Sequence, residues 1–415
     1  MNTETITRHL KAWFFSYSEL FLFCLAGIGI GLAVGVMEVV FAWGLRLIES
    51  WRADWGCWPL LAVPVAGVVL TWAFLRFGKK SRKGMNLVFE VSQGKERWIP
   101  KRTVTMMTLG TWLSRLVGVS TGKEGVGMQI GATISHVVGR RLTGRPHSKT
   151  IFLVTGMAAG FAGLFGTPFT AVFFALEVLV AGTLKYRALG PAVCGAFSAY
   201  WIAGLMGVHA DTFLLDSLQM PEVTSSLIPL VIMGVLFGVA GGLFAWNSVH
   251  IRQFLNKKFP NPYKRVFFGS IVLAILLFVL HQGRYSGSGE NLINAALSGG
   301  VVYGYDFLLK AILTILTLSL GFVGGEVTPL FSIGATLGAV LGSLFGMNPM
   351  VCAALGFAAV FGAGTNTWLA SIAIGMEIFG FAWFPYFFLV CSTAYLVNRN
   401  QSIYTLQQRY GQHDA

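Results

Sequence analysis

Charged residues are scarce in this chain. Lysine, arginine, aspartate and glutamate make up 11% of its 415 residues, whereas soluble domains carry about 25%. Hydrophobic residues make up 55%, and the mean hydropathy is +0.68. So few charges cannot cover the surface of a water-soluble domain of this length. The composition therefore excludes a soluble protein and indicates an integral membrane protein embedded in a lipid bilayer.

Acidic residues are fewer than basic residues: the chain has 17 aspartates and glutamates and 30 lysines and arginines, which gives a net charge of +13. The basic residues are concentrated in three short polar stretches, at 76–83, 140–149 and 257–265. Clusters of this kind are typical of cytoplasmic loops between membrane spans. We therefore expect no nucleic-acid partner, a multi-pass topology and both termini in the cytoplasm.

Cysteine is also rare, and the five cysteines lack the spacing of a metal or redox motif. Together with the absence of a phosphate-binding loop, this predicts no cofactor and no metal. The stretch 283–287 (GRYSG) faintly resembles the serine motif of intramembrane proteases, but no histidine lies in a following apolar segment to act as a base. We therefore do not expect an enzyme.

The apolar segments are interrupted by glycine and proline. A membrane-spanning helix needs about 20 apolar residues, but several segments, such as 151–166 and 168–181, are shorter. Short, broken apolar segments are typical of transporters with discontinuous helices. The predicted fold class is an all-α integral membrane protein.

An internal repeat is visible in the sequence. The pattern at 84–88 recurs at 289–293, and Glu124 in its glycine-rich setting recurs as Glu326, in each case about 200 residues later. Such repeats place a ligand site at their interface, and the residues alone leave open whether the repeats are parallel or inverted. The predicted divisions are a cytoplasmic amphipathic lead-in (1–16), a first transmembrane repeat (17–210), a second (211–400) and a cytoplasmic tail carrying Tyr404 (401–415).

The stretch 122–131 (GKEGVGMQIG) holds a glutamate among four glycines between apolar segments. An ionisable side chain at the bilayer centre costs about 2.5 kcal/mol or more, so Glu124 is a functional candidate by default. The glycines allow the backbone to break, and the apolar run that follows predicts a helix beginning here. Because the free N–H groups of a helix start bind anions, we predict an anion site with a titratable gate lying in it.

These motifs together resemble the CLC family of anion channels and anion/proton exchangers. The segment 122–126 resembles the family's G-[KR]-E-G-P motif, with valine at the usual proline, and 324–329 lies where the family has G-x-F-x-P. The segment 166–168 with the following Glu177 resembles its N-A-P element and acid, and Tyr404 resembles its late tyrosine.

The resemblance implies an inverted-topology repeat of tilted, broken helices, assembled as a homodimer. It implies that Glu124 is the gating and proton-transfer glutamate. The residues expected to bind the anion are Met85, Asn86, Gly125, Val126, Val327, Thr328 and Tyr404. Phe89 and Phe331 are further candidates to line the anion path.

One departure from the chloride-transporting members bears on substrate. Those members have G-S-G-I-P where this chain has GMNLV at 84–88, so Met85 replaces a serine hydroxyl. With Val126 and the sequence at 326–328, this resembles the bacterial fluoride-exporting branch. The implied function is a fluoride/proton antiporter of the bacterial inner membrane, exporting fluoride with the proton gradient. A chloride/proton exchanger or a passive anion channel of the same fold is the alternative.

A second ionisable position is needed for proton coupling. Glu326, the counterpart of Glu124, is predicted either to carry protons or to bond the amides of its own helix start. His209 and Asp211, near the boundary of the repeats, are alternatives. Glu177 and Glu377, at equivalent places in two apolar segments, are expected to act in helix packing.

Overall fold

The computed structural model describes residues 3–140, 148–208, 213, 215, 226–398 and 400–409, with side chains from residue 17 onward. The described residues of the first half form eight α-helices: α1 (Thr3–Trp55), α2 (Val63–Ala73), α3 (Met85–Ser92), α4 (Arg102–Leu116), α5 (Glu124–Gly139), α6 (Ser148–Phe165), α7 (Pro168–Glu177) and α8 (Leu189–Leu205). A π-helical turn, Phe74–Gly78, and a 3-10 turn, Lys79–Lys83, join α2 to α3.

The second half follows the same order. Its helices are α9 (Leu227–Lys258), α10 (Pro262–Val279), α11 (Glu290–Leu297), α12 (Asp306–Leu320), α13 (Val327–Leu344), α14 (Pro349–Thr365), α15 (Trp368–Phe379) and α16 (Phe384–Val397). Two short strands, β1 (Val180–Ala181) and β2 (Gln408–Arg409), pair in parallel and hold the tail against the end of α7.

Within the described ranges, seven helical segments are long and apolar enough to cross a membrane, which confirms a multi-pass membrane protein. Other apolar helices, including α7 and α15, have only 10 to 17 residues. Both the all-α class and the discontinuous helices predicted from the sequence are therefore present.

Local sequence sets where the short helices begin. Gly84 and Gly289 precede α3 and α11 with positive φ angles of 57° and 92°, a region that glycine enters at little cost. Pro349 lies in the first turn of α14, where a missing N–H does no harm. Asn348 caps that helix by accepting a hydrogen bond from the Met350 N–H at 2.9 Å.

The two halves are related by an approximate two-fold axis. Gly122 and Gly325 each lie two residues before a helix, α5 at Glu124 and α13 at Val327, and are equivalent in this sense; by the same register Glu326 corresponds to Lys123 and not, as the sequence repeat predicted, to Glu124. The two glycines form an antiparallel bridge in which each N–H donates to the other's carbonyl at 2.8 Å. Antiparallel pairing of equivalent residues is what a two-fold relation requires, so the repeats meet here in inverted orientation.

Close helix packing repeats in the same way. Gly131 of α5 faces the Gly156 carbonyl of α6 so closely that no side chain fits, and Gly334 of α13 faces Gly356 of α14 equivalently. Small residues that allow backbones to approach are characteristic of helix contacts in membranes. These two glycine contacts build the core beside the site in each repeat.

The first helix extends beyond its apolar part at both ends. α1 continues through the polar stretch after Glu49 to Trp55, because neither glycine nor proline occurs there before Gly56, where φ is +60°. The lead-in 1–16 is also continuous with α1 from Thr3 onward and does not form a separate helix. The repeat boundary placed at 210 and 211, and the candidates His209 and Asp211, lie outside the described residues.

Candidate ion-transport site

The Glu124 carboxylate lies where two helices begin. Its Oε2 accepts hydrogen bonds from the N–H groups of Lys123 and Thr328, each at 3.0 Å. Its Oε1 accepts a hydrogen bond from the Thr328 hydroxyl. The starts of α5 and α13 therefore converge on one negative charge, as the helix-start argument predicted.

Glycine is required beside this carboxylate. A Cβ atom on Gly325 would lie 2.9 Å from the Gly125 nitrogen and 3.0 Å from the Glu124 nitrogen. A Cβ atom on Gly122 would lie 2.6 Å from Glu124 Oε2. Any larger residue at either glycine would push the two helix starts apart, so the tight bridge of Gly122 and Gly325 sets the geometry of the site.

The segments that lead into α5 and α11 are fixed by a buried lysine. Lys310 of α12 donates to the Ser120 hydroxyl at 2.9 Å, the Tyr285 carbonyl at 3.1 Å and the Gly287 carbonyl at 2.8 Å. These three acceptors match the three N–H bonds of an ammonium group. Sequence reasoning missed Lys310, because a single lysine in an apolar helix gives no sign of which distant carbonyls it meets.

Two cavities approach Glu124 from opposite sides. Cavity I, of about 350 Å³, includes Arg82, Lys83 and Arg265 of the basic stretches in its lining. Cavity II, of about 290 Å³, is lined by groups that include Lys123, Glu290, Thr328 and Phe331. Lys123 and Gly125, the neighbours of Glu124 in the chain, line different cavities. The buried Glu124 therefore separates the two.

The structure brings most of the predicted anion-binding residues together. Cavity I is lined by Met85, Asn86, Gly125, Val126 and Tyr404. Thr328 lines cavity II and contacts Glu124 directly. Val327 lines neither cavity, because its side chain is buried in the hydrophobic core at the start of α13.

Tyr404 enters cavity I from the tail. Its ring packs against Phe89, with centroids 5.5 Å apart, and against Phe174 at 6.4 Å. Its hydroxyl is buried and has no hydrogen-bond partner among the described residues. A buried hydroxyl left without a partner is costly, so this group is available to a ligand or water in the cavity. Phe331 lines cavity II, whereas Phe89 supports Tyr404 without lining a cavity.

Glu326 lies in cavity I, not beside Glu124. Its Oε1 accepts a hydrogen bond from the Arg252 guanidinium at 3.4 Å. Although Glu326 precedes α13 as its N-cap residue, its side chain makes no capping hydrogen bond. The alternative in which Glu326 bonds its own helix start is therefore wrong for this structure.

Three polar side chains near Glu124 were not predicted. Arg252 lies near the polar end of α9, and this helix carries it into cavity I. Gln129 lines cavity I and donates to the Gly125 carbonyl at 2.8 Å. Glu290 pairs with Lys123 in cavity II at 3.1 Å. Arg252 and Glu290 contact residues that are distant in the sequence, and Gln129 contacts a residue one helical turn away. The spacing of residues in the sequence predicts neither kind of contact.

Glu177 and Glu377 exchange helix caps across the two-fold axis. Glu177 at the end of α7 accepts hydrogen bonds from the first N–H groups of α15, including Trp368 at 2.7 Å. Glu377 of α15 accepts from Phe169 and Thr170 at the start of α7, at 3.0 and 2.8 Å. The expected role in helix packing is confirmed by these contacts.

A two-fold repeat of broken helices, with cavities on either side of one buried carboxylate, defines a membrane ion-transport protein. The comparisons agree. A family model described as voltage gated chloride channel matches residues 66–399. A chloride/fluoride channel protein of Pseudomonas syringae pv. tomato is 33% identical over 92% of this chain and 85% of that relative. The chain belongs to this voltage-gated chloride channel family.

Solved structures show the same fold. A CLC-type fluoride/proton antiporter has a TM-score of 0.91 and 43% identity, covering 95% of this chain and 99% of its own. A slow cyanobacterial Cl⁻/H⁺ antiporter has a TM-score of 0.81 at 20% identity, covering 92% of this chain and 96% of its own. The second similarity concerns the fold alone.

Proposed function

We propose that this protein is a fluoride/proton antiporter that exports fluoride with the inward proton gradient. The observation that carries the proposal is the Glu124 carboxylate, which sits between cavities I and II and accepts hydrogen bonds from two helix starts. The Glu124 carboxylate blocks the anion path and can take up a proton. Because it must be protonated before it leaves the path, the passage of the anion is coupled to that of the proton. The 43% identical antiporter structure supports fluoride as the anion.

The proposed cycle uses the donors that Glu124 now occupies. When Glu124 takes a proton, its carboxyl loses charge and leaves the N–H groups of Lys123 and Thr328. Fluoride then binds these N–H groups and the Thr328 hydroxyl. Fluoride is small and strongly hydrated, so a few close donors must replace its water, and charge-assisted hydrogen bonds of this type are the strong ones. The returning carboxylate displaces the anion and closes the path.

Glu326 is the proposed proton-transfer group on the cavity I side. It is exposed to that cavity, with 17% of its side chain accessible, and it pairs with Arg252. The unpartnered Tyr404 hydroxyl and the Asn86 side chain are proposed to bind fluoride as it enters from cavity I. Asn86 Oδ1 accepts a hydrogen bond from the Thr405 hydroxyl at 3.2 Å, which fixes the amide.

Cavity I is proposed to face the cytoplasm, because its lining includes the basic stretches that the positive-inside rule assigns there. The chain would then lie in a bacterial inner membrane with both termini cytoplasmic, as a homodimer. A cluster of exposed aromatic rings, Phe169 against Phe197 and Phe381 with centroids 5.3 and 6.5 Å apart, joins both repeats and is the proposed subunit contact.

Flux in proteoliposomes tests the proposal. Vesicles that contain the wild-type protein and an outward fluoride gradient should release fluoride and take up protons. Glu124→Gln, which cannot ionise, should abolish this proton uptake. Thr328→Ser serves as a matched control, because it keeps the hydroxyl. Proton pumping by Glu124→Gln, or fluoride flux without proton movement in wild type, would contradict antiport. Chloride efflux equal to fluoride efflux would favour the chloride exchanger.

A further inference from the structure

One buried carboxyl group has no role in the cycle above. Glu38 of α1 is fully buried, and both of its carboxylate oxygens lack a hydrogen-bond partner among the described residues. Burying an isolated carboxylate is far more costly than burying a neutral acid. Leucine would pack at this position at a lower cost than glutamate. The presence of glutamate therefore indicates a role other than packing.

The position of Glu38 connects it to the gate helix. A Cβ atom on Gly127 would lie 3.1 Å from Glu38 Oε2, and one on Gly163 would lie 3.4 Å from Glu38 Cβ. The carboxyl therefore lies between α1, α5 and α6, against the backbone of α5 three residues after Glu124. Glycine at these two positions leaves the space that the glutamate occupies.

The same carboxyl lies one layer behind the wall of cavity II. The Cβ position on Gly127 that is 3.1 Å from Glu38 Oε2 is also 3.0 Å from Leu164 Cδ2. Leu164 lines cavity II, and so does Ala42, one turn further along α1. Two apolar residues close to Glu38, Ala42 and Leu164, therefore line the cavity beside the gate.

The charged groups on the helices around Glu38 lie at other positions along them. From residue 17 onward, α1 also carries Glu19, Arg46, Glu49, Arg52 and Asp54; Lys123, Glu124 and His136 belong to α5 or its start, Lys149 lies at the far end of α6, and α8 carries no charged residue. Arg46 donates to the Gly207 carbonyl at 3.0 Å, and Lys123 pairs with Glu290. Arg46 and Lys123 are thus engaged elsewhere, and no described side chain donates a hydrogen bond to the Glu38 carboxyl.

We propose that Glu38 is a third proton-binding site of the transporter. It holds a proton while α5 is packed against α1 and α6. It releases this proton to water of cavity II, and takes one up again, when α5 moves during the cycle. The inference rests on the proposed antiport, and it adds to Glu124 and Glu326 a carboxyl that no sequence motif marks.

Flux measurements separate this inference from the antiport itself. If wild-type vesicles show no fluoride-driven proton movement, the antiport proposal fails whatever Glu38 does. If they do, Glu38→Gln, which keeps the shape and cannot ionise, should slow coupled fluoride efflux several-fold and flatten its dependence on the pH of the cavity II side. Glu19→Gln, on the same helix, should change neither. A Glu38→Gln variant with the wild-type rate and pH profile would overturn the inference.

A wild-type measurement keeps the test valid if Glu38→Gln does not fold. A hydrophobic carbodiimide reacts with a protonated carboxyl in apolar surroundings: the acid O–H adds across the reagent C=N bond, and rearrangement to the N-acylurea retains every atom. Mass spectrometry of wild type during turnover should find this adduct on Glu38, more at acidic than at alkaline pH on the cavity II side. No adduct, or an adduct independent of pH, would overturn the inference.

Discussion

We propose that single residues decide which ion this site accepts. Met85 begins α3 and lines cavity I, and the family resemblance places the serine of chloride-transporting members at this position. A thioether is a weak acceptor and donates no hydrogen bond, so Met85 offers chloride no donor. In the proposed cycle, fluoride is held by backbone amides and hydroxyls and does not depend on a donor at this position.

Replacing Met85 with serine should therefore relax selectivity. We expect Met85→Ser to raise chloride efflux and to lower the fluoride-to-chloride flux ratio by about tenfold or more, since one hydrogen bond to a charged group contributes about 1.5–3 kcal/mol. The ratio is measured with ion-selective electrodes in proteoliposomes. Met85→Leu, of similar volume and also without a donor, is the control that should keep the ratio. An unchanged ratio in Met85→Ser would remove this residue from selectivity.

The ion pair in cavity I allows a second test. If Glu326 carries protons, Glu326→Gln should reduce proton uptake while leaving fluoride flux measurable. Arg252→Gln removes only the partner of Glu326, which is 3.4 Å away. It should change the pH at which transport is half-maximal and preserve coupling. Coupling is measured as the ratio of protons taken up to fluoride ions released. An equal loss of coupling in Glu326→Gln and Arg252→Gln would indicate that Glu326 has a structural role.

At the scale of helices, Glu177 and Glu377 bind the two repeats together. Each carboxylate caps a helix of the other repeat. Removing either carboxylate should therefore lower the free energy of unfolding by a similar amount. We expect Glu177→Gln and Glu377→Gln to lower the free energy of unfolding by about 1 kcal/mol each, because loss of a helix cap costs about 0.5–2 kcal/mol. Unfolding in detergent measures this, with Glu19→Gln as control. A loss in only one variant would contradict equivalent capping.

Helix starts were the most predictable part of the fold. Glycines at 84, 122 and 289 marked the breaks because tight turns and close backbone approach need glycine whatever surrounds them. Helix lengths were less predictable: α1 continues through the polar stretch 49–55, since tryptophan and charged residues do not break a helix. The contacts of Arg252 with Glu326 and of Lys310 with Ser120 were out of reach, because nothing local encodes a partner 74 or 190 residues away.

At the scale of the whole molecule, the two-fold relation gives a path with one cavity on each side of the gate. The Gly122–Gly325 bridge and the exchanged caps treat the two repeats alike. Nothing in this arrangement makes one direction of transport intrinsically impossible. The direction is then set by the ion gradients alone, as coupling through equilibrium binding requires.

Reversal of the gradient should therefore reverse transport. With equal fluoride on both sides and the membrane potential clamped at zero, vesicles with an alkaline exterior should accumulate fluoride as protons leave, and vesicles with a moderately acidic exterior should lose it. A passive channel under the same clamp gives no net fluoride movement from a pH difference. Glu124→Gln controls for undissociated HF that crosses the lipid itself. Accumulation equal in wild type and Glu124→Gln would show that the protein does not couple the two ions.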